Sequence, residues 1–173
     1  MHAYCMHASH FSLLFGSMAV EDTALEERRT ILSKEDIGFD VKVTWLAIAR
    51  MFSPLANNYG ITVTTGFVLL NISRDQGTPA TKIAPLLGME PRSLTRLIKK
   101  MEEEGLVERR PDPEDRRSVR IYLTEKGLEK KETAKQYVEI FNSEVRKQVH
   151  EGELRTFFTV LEKIHLVIHD KFS

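Results

Sequence analysis

Between residues 78 and 105 the chain carries two short apolar-periodic stretches, each opened by a proline and closed by a glycine. Thr78-Pro79 reads as N-cap and first position of the first stretch, with Ile83, Leu86 and Leu87 inward and Gly88 as its C-cap. Glu90-Pro91 repeats that opening for the second, whose apolar face is Leu94, Leu97, Ile98 and Met101 and which Gly105 ends. Only the turn Gly88-Met89-Glu90 separates them, so the pair is predicted to form a helix-turn-helix. Pro85 falls inside the first stretch, where it removes an amide donor and clashes with the preceding turn, so that helix is expected to be kinked or irregular.

The flanks read as follows. A helical stripe runs through Val41, Trp45, Ile48, Phe52, Leu55 and Tyr59 and stops at Gly60. Thr62 is placed to cap another helix carrying Phe67, Val68, Leu70 and Ile72 toward Gly77. After Gly105 the period changes from helix to strand. Residues 106–110 and 118–123 read as two strands, and the Pro and Asp residues of 111–117 punctuate the turn between them. Thr124 is predicted to cap a long helix with Leu128, Ala134, Tyr137, Val138, Phe141, Val145 and Val149 on one side. Gly152 marks a break before a last helix with Leu154, Phe157, Phe158, Leu161, Ile164, Ile168 and Phe172. The expected fold is mainly α with a small, charged β-hairpin.

A helix-turn-helix places the N-terminal part of its second helix in the major groove of DNA. Arg92, Ser93, Thr95 and Arg96 lie off the Leu94/Leu97/Ile98 face at that end. Arginine can grip guanine in bidentate fashion, and Ser or Thr can reach several base edges. Lys99 and Lys100 follow one turn later, where phosphate neutralisation is the natural role. The hairpin adds Arg109, Arg110, Arg116, Arg117 and Arg120, and arginines on a projecting ribbon suit a narrow minor groove. From Arg92 to Arg120 nine bases face seven acids, but Glu102, Glu103 and Glu104 sit at the far end of the helix. That segregation matters because Lys plus Arg and Asp plus Glu are both 25 over the 173 residues, so net charge offers no argument for nucleic acid.

Other classes are disfavoured. Apolar residues at 42% and charged residues at 29% suit a globular domain, and no apolar run reaches the roughly 18 residues of a membrane span. The stretch from Phe11 to Val20 is short, interrupted and preceded by histidines, so export is not expected, and a lone Cys5 suits a reducing cytoplasm. Met18-Ala19 offers an ordinary start, so residues 1–17 are expected to be a loose tail or untranslated. His165 and His169 have metal-ligand spacing, and His2, Cys5, His7 and His10 could suggest a soft-metal cluster. Neither set is completed by further ligands in a structured element, so no metal or cofactor is expected. Cys5 lacks a helix N-terminus or dependable cation to lower its thiol pKa, which leaves a redox role unsupported. No Gly-rich phosphate loop or nucleophile elbow is present, so the chain is not expected to be an enzyme.

The runs 83–88, 94–102 and 104–109 resemble the MarR family of bacterial regulators. Asp115-Arg116-Arg117 followed by Leu123-Thr124-Glu125-Lys126-Gly127 is similar to that family's wing motif, an Asp-x-Arg leading into Leu-Thr-x-x-Gly. The resemblance covers about residues 62–128. It implies a winged helix-turn-helix, a homodimer with interlocking N- and C-terminal helices, and a palindromic double-stranded DNA operator. It assigns Arg117 to the minor groove and Asp115 to fixing that arginine by ion pairing, with Arg116 beside it. It also implies a small aromatic or phenolic effector at the junction of the dimer helices and the DNA-reading part, where Trp45, Phe52, Tyr59 and Phe67 are candidates.

Independently of the resemblance, the last two helices carry more apolar surface than one winged domain can cover, so a partner copy is expected. The expected organisation is a tail at 1–34, a dimerisation helix at 35–60, the winged helix-turn-helix at 61–123 and C-terminal dimerisation helices at 124–173. The chain is expected to be a cytoplasmic transcriptional repressor. The rival reading is a helical protein–protein interaction module that keeps the winged shape without reading DNA.

Overall fold

The computed structural model describes residues 36–172 except 114, 116 and 117. The expectations for the N-terminal tail, Cys5, the early histidines, Arg116 and Arg117 lie outside the described residues. The chain divides into two compact units, Met1–Met51 and Phe52–Ser173. In the first, the N-terminal portion of α1 (Ile37–Asn58) leaves Ile37, Val41, Trp45 and Leu46 exposed.

The second unit holds the end of α1, then α2 (Val63–Leu70), β1 (Thr78–Pro79), α3 (Ala80–Leu86), α4 (Pro91–Glu103), β2 (Val107–Pro111), β3 (Val119–Leu123), α5 (Glu125–Gln148) and α6 (Glu151–Phe172). Thr62 caps α2 as its sequence position predicts, its Oγ1 accepting from the Thr65 amide at 3.1 Å. Thr124 does the same for α5: its Oγ1 accepts from the Gly127 amide and donates to the Gly105 carbonyl. One threonine thereby ties the start of α5 to the end of α4. The core is built from Val68, Leu69 and Ile72 after and within α2, Ile83 and Ala84 of α3, Leu94, Ile98 and Met101 of α4, and Leu106, Val107 and Ile121 of the sheet.

Four sequence expectations need correction. Thr78 and Pro79 form a short strand, not a helix cap. They pair antiparallel with Ile121 and Arg120, which makes the wing three-stranded in the order β1-β3-β2. The Thr78 hydroxyl is occupied elsewhere, accepting from the Ser73 amide and donating to the Asn71 carbonyl. Leu86 is 66% exposed. At about 100° per residue the face of α3 is centred between Ile83, Ala84 and Leu87, and Leu86 falls well off it. The helix of residues 62–77 is also shorter than expected and ends at Leu70 with Asn71 as its C-cap. Finally, the break before the last helix falls at Val149–His150, and Gly152 sits in the first turn of α6. There the His150 amide donates to Glu153 Oε2 at 2.8 Å, half of a capping box.

Pro85 does lie within α3, which is only seven residues long. The chain then passes through Gly88 at φ +58° into Glu90 and Pro91, with Pro91 at the first position of α4. The turn between α3 and α4 is thereby set by residues that the sequence already marks.

α5 gathers the C-terminal ends of three other helices. Helix ends expose carbonyls that lack partners within the helix. Lys126 Nζ donates to the Glu104 carbonyl after α4, and Lys130 Nζ to the Tyr59 carbonyl after α1. Lys131 Nζ donates to the carbonyls of Leu70 and Ile72 at the end of α2.

Candidate nucleic-acid interface

The face of α4 is decided by its period. Leu94, Ile98 and Met101 are buried, and the six residues singled out from the sequence, Arg92, Ser93, Thr95, Arg96, Lys99 and Lys100, are all exposed. Thr95 Oγ1 donates to the Pro91 carbonyl at 2.9 Å, so its hydroxyl is held against the first turn. No acid stands one turn from Arg92 or Arg96 along the helix. Lys99 and Lys100, by contrast, lie 3.9 Å from Glu103 and 3.7 Å from Glu104 in exposed i,i+4 pairs. The cationic character of α4 is therefore strongest toward its N-terminal half.

The hairpin arginines divide in a way that composition does not reveal. Arg120 is largely buried, its Nε 3.0 Å from Asp112 Oδ2, with side-chain exposures of 15% and 6%. Its Nη1 also donates to the Gln76 carbonyl at 3.1 Å. Arg110 pairs with Glu108 and sits 4.5 Å above the Tyr122 ring. Arg109 pairs with Glu102 at 3.1 Å and donates to the Thr95 carbonyl. These three, expected among the groove-reaching bases, instead fasten the wing to itself and to the helical body.

At the wing's tip Asp115 Oδ2 accepts from Ser118 Oγ at 2.8 Å, and the Asp115 carbonyl accepts from the Ser118 amide. The Asp112 amide closes the turn by donating to the Ser118 carbonyl. The buried Asp112–Arg120 pair went unforeseen. The available signal was the pairing of Arg110 with Arg120 in a short hairpin, which leaves two adjacent cations needing acids.

A second feature lies in the same unit. Phe52, Tyr59 and Phe67, three of the four effector candidates, line a small pocket open to solvent, together with residues of α2 and of α5 such as Ala134, Tyr137 and Val138. Trp45, the fourth, belongs to the other unit and is not a lining residue. Phe52 meets Phe141 edge-on, and the Tyr137 hydroxyl donates to that of Tyr59 at 3.1 Å. Burial, followed by that hydrogen bond, holds the Tyr137 phenol well above its ordinary pKa, so it stays a neutral donor. Among the described residues no group of three or more His, Cys, Asp or Glu could hold a metal ion. No described helix is long and apolar enough to cross a membrane.

Comparison with known proteins agrees with this geometry. The MarR family model matches residues 61–119. The organic hydroperoxide resistance transcriptional regulator of Bacillus subtilis is 30% identical over 123 residues, covering 68% of this chain and 82% of that protein. The crystal structure of the MepR–DNA complex of Staphylococcus aureus superposes with a TM-score of 0.68 at 20% identity, over 75% of this chain and 96% of that one. CouR from Rhodococcus jostii, solved with p-coumaroyl-CoA, gives a TM-score of 0.66 at 24% identity, over 76% and 92%. The chain belongs to the MarR family of transcriptional regulators, and its winged helix-turn-helix is the DNA-binding element of that family.

Proposed function

We infer that the protein is a homodimeric repressor that binds a palindromic operator and is released by a small aromatic effector. The observation that carries the DNA reading is the division of α4. Its apolar row is spent on the core, and Arg92, Ser93, Thr95, Arg96, Lys99 and Lys100 are left standing out from the body. In this reading Arg92, Ser93, Thr95 and Arg96 meet base edges and Lys99 and Lys100 meet phosphates. Arg116 and Arg117 extend into the minor groove, with Asp115 orienting Arg117.

Support for the dimer comes from α6, where Phe157, Phe158, Leu166, Val167 and Ile168 are half or more exposed in the single chain. Burying a large apolar side chain contributes roughly 1.5–3 kcal/mol, which favours a second copy on that face. Residues 35–60 and 124–173 then serve as dimerisation helices around the reading domain at 61–123. Two-fold symmetry would set the recognition helices about 34–36 Å apart, one turn of DNA. The pocket beside Tyr59 and Tyr137 is the effector site, and the aromatic acyl group of CouR's ligand supports an aromatic class. An effector acts by favouring a dimer whose helix spacing misfits the operator.

A gel shift on the protein's own upstream DNA, with a scrambled duplex as control, tests the reading. Arg96→Ala should relax sequence preference, and Arg117→Ala should weaken binding evenly across sequences. Wild-type affinity in both variants would overturn the site assignment, and no duplex binding at all would favour a protein–protein module.

A further inference from the structure

We propose that Arg109 is a positioning residue for operator recognition: it braces α4 against β2 so that the reading helix and the wing keep one fixed spacing. The proposal rests on the reading of α4 as the DNA-facing helix.

The alternation of the hairpin decides where Arg109 points. Val107 lies opposite Leu123, Arg109 opposite Ile121, and Pro111 opposite Val119. Residues directly opposite one another share a sheet face, and Val107 and Ile121 are buried. Arg109 therefore emerges on the core face of the wing, and its stem runs alongside Ile121. Arg110, one residue on, takes the other face and lies over Tyr122.

The head of Arg109 ends against α4 at two places. Nε lies 3.1 Å from Glu102 Oε2, and Nη2 donates to the Thr95 carbonyl at 3.3 Å. Thr95 and Glu102 are seven residues apart, two turns along one side of the helix, or about 10 Å of axial length. A planar fork bonded at both places opposes sliding of α4 along its axis and rolling about it. Thr95 stands in the turn that also holds Arg92 and Arg96, so the brace acts on the reading residues directly.

Base-edge hydrogen bonds weaken steeply with misalignment, whereas attraction between a cation and a phosphate falls off slowly with distance. Loss of the brace should therefore reduce specific binding and leave nonspecific binding largely intact. Two opposed expectations separate a brace from a direct DNA contact. If Arg109 gripped a phosphate, removing the Glu102 charge would release it and tighten binding. If Arg109 is a brace, the same change loosens α4 and weakens recognition.

The test uses the full chain with its upstream operator duplex and a scrambled duplex. Glu102→Gln and Arg109→Gln should each lower the ratio of operator to scrambled-duplex affinity by about five- to tenfold. The double variant should be no worse than either single one, and Arg109→Lys should recover only part of the loss. Tighter operator binding by Glu102→Gln, or an equal loss on both duplexes in Arg109→Gln, overturns the proposal. Should Arg109→Gln fail to fold, Glu102→Gln carries the decision alone. Arg96→Ala run in parallel keeps the two readings distinct: if it leaves operator affinity unchanged, the placement of α4 on DNA is at fault, not the brace.

Discussion

Gly127 sits where the first turn of α5 meets the backbone of Leu106, and a Cβ placed on it would lie 1.8 Å from the Leu106 carbonyl oxygen. No rotamer relieves a contact with backbone, so Gly127→Ala should cost about 3 kcal/mol of unfolding free energy in a urea titration. Gly105 presents the opposite case. It has φ +70° and open space around its Cα, so alanine there meets only the left-handed backbone penalty of about 1–2 kcal/mol. A smaller loss at position 127 than at 105 would contradict the close approach of α5 to Leu106. Both glycines were visible in the sequence, but only as a helix stop and as part of a resemblance. Which of them is required for space and which for φ depends on a contact between elements that adjoin only after folding. The wing arginines follow the same logic. Composition marked Arg109, Arg110 and Arg120 as basic, yet their pairing with Glu102 of α4, Glu108 of the same strand and Asp112 of the turn follows from the strand faces and from how the wing packs.

At the scale of elements, the row of lysines on α5 does what the C-termini of α1, α2 and α4 cannot do for themselves. Lys131 is the most committed of the three, donating to two carbonyls at the end of α2. Lys131→Met should lower stability by roughly 1 kcal/mol at neutral pH, since the ammonium is only partly buried. Loss of hydration lowers the Lys131 pKa below the ordinary lysine value of 10.5, with Glu132 opposing and Lys135 adding to the shift. The unfolded chain therefore holds this proton more tightly than the folded one. That cost is complete at neutral pH and fades as pH rises through the depressed value toward 10.5. The stability difference between wild type and Lys131→Met should move in favour of wild type along that alkaline limb, which melts at stepped pH would reveal. The elements themselves were largely legible: the caps at Thr62 and Thr124, the prolines and glycines around α3 and α4, and the change of period after Gly105 all carried local signals. β1 was not, because two residues are too few to show alternation and Thr78-Pro79 is also a good helix opening. Leu86 was misplaced because a seven-residue helix offers too few apolar positions to fix the centre of its face.

At the scale of the whole molecule, the stripe on α6 is the feature that a single chain leaves unresolved. Phe157 and Ile168 are 54% and 50% exposed, and their separation puts them on one side of the helix. Replacing both with Asp should leave the protomer folded by circular dichroism but shift it to monomer in sedimentation velocity. Operator affinity should then drop by about a hundredfold as the second half-site loses its tether. A double variant that still sediments as a dimer would move the interface elsewhere. The ion pairs described along α4 and the wing have a thermodynamic consequence on this same scale. Counterions condensed on a duplex are expelled in proportion to the protein charge that replaces them. Arg109, Arg110 and Arg120 each come with a carboxylate close by. The entropy gained from released ions is then smaller than the nine bases between Arg92 and Arg120 would suggest. Each base withheld in this way removes about 0.9 from the slope of log affinity against log salt concentration. The affinity of such a regulator would change less with ionic strength than that of one with the same bases and no acids.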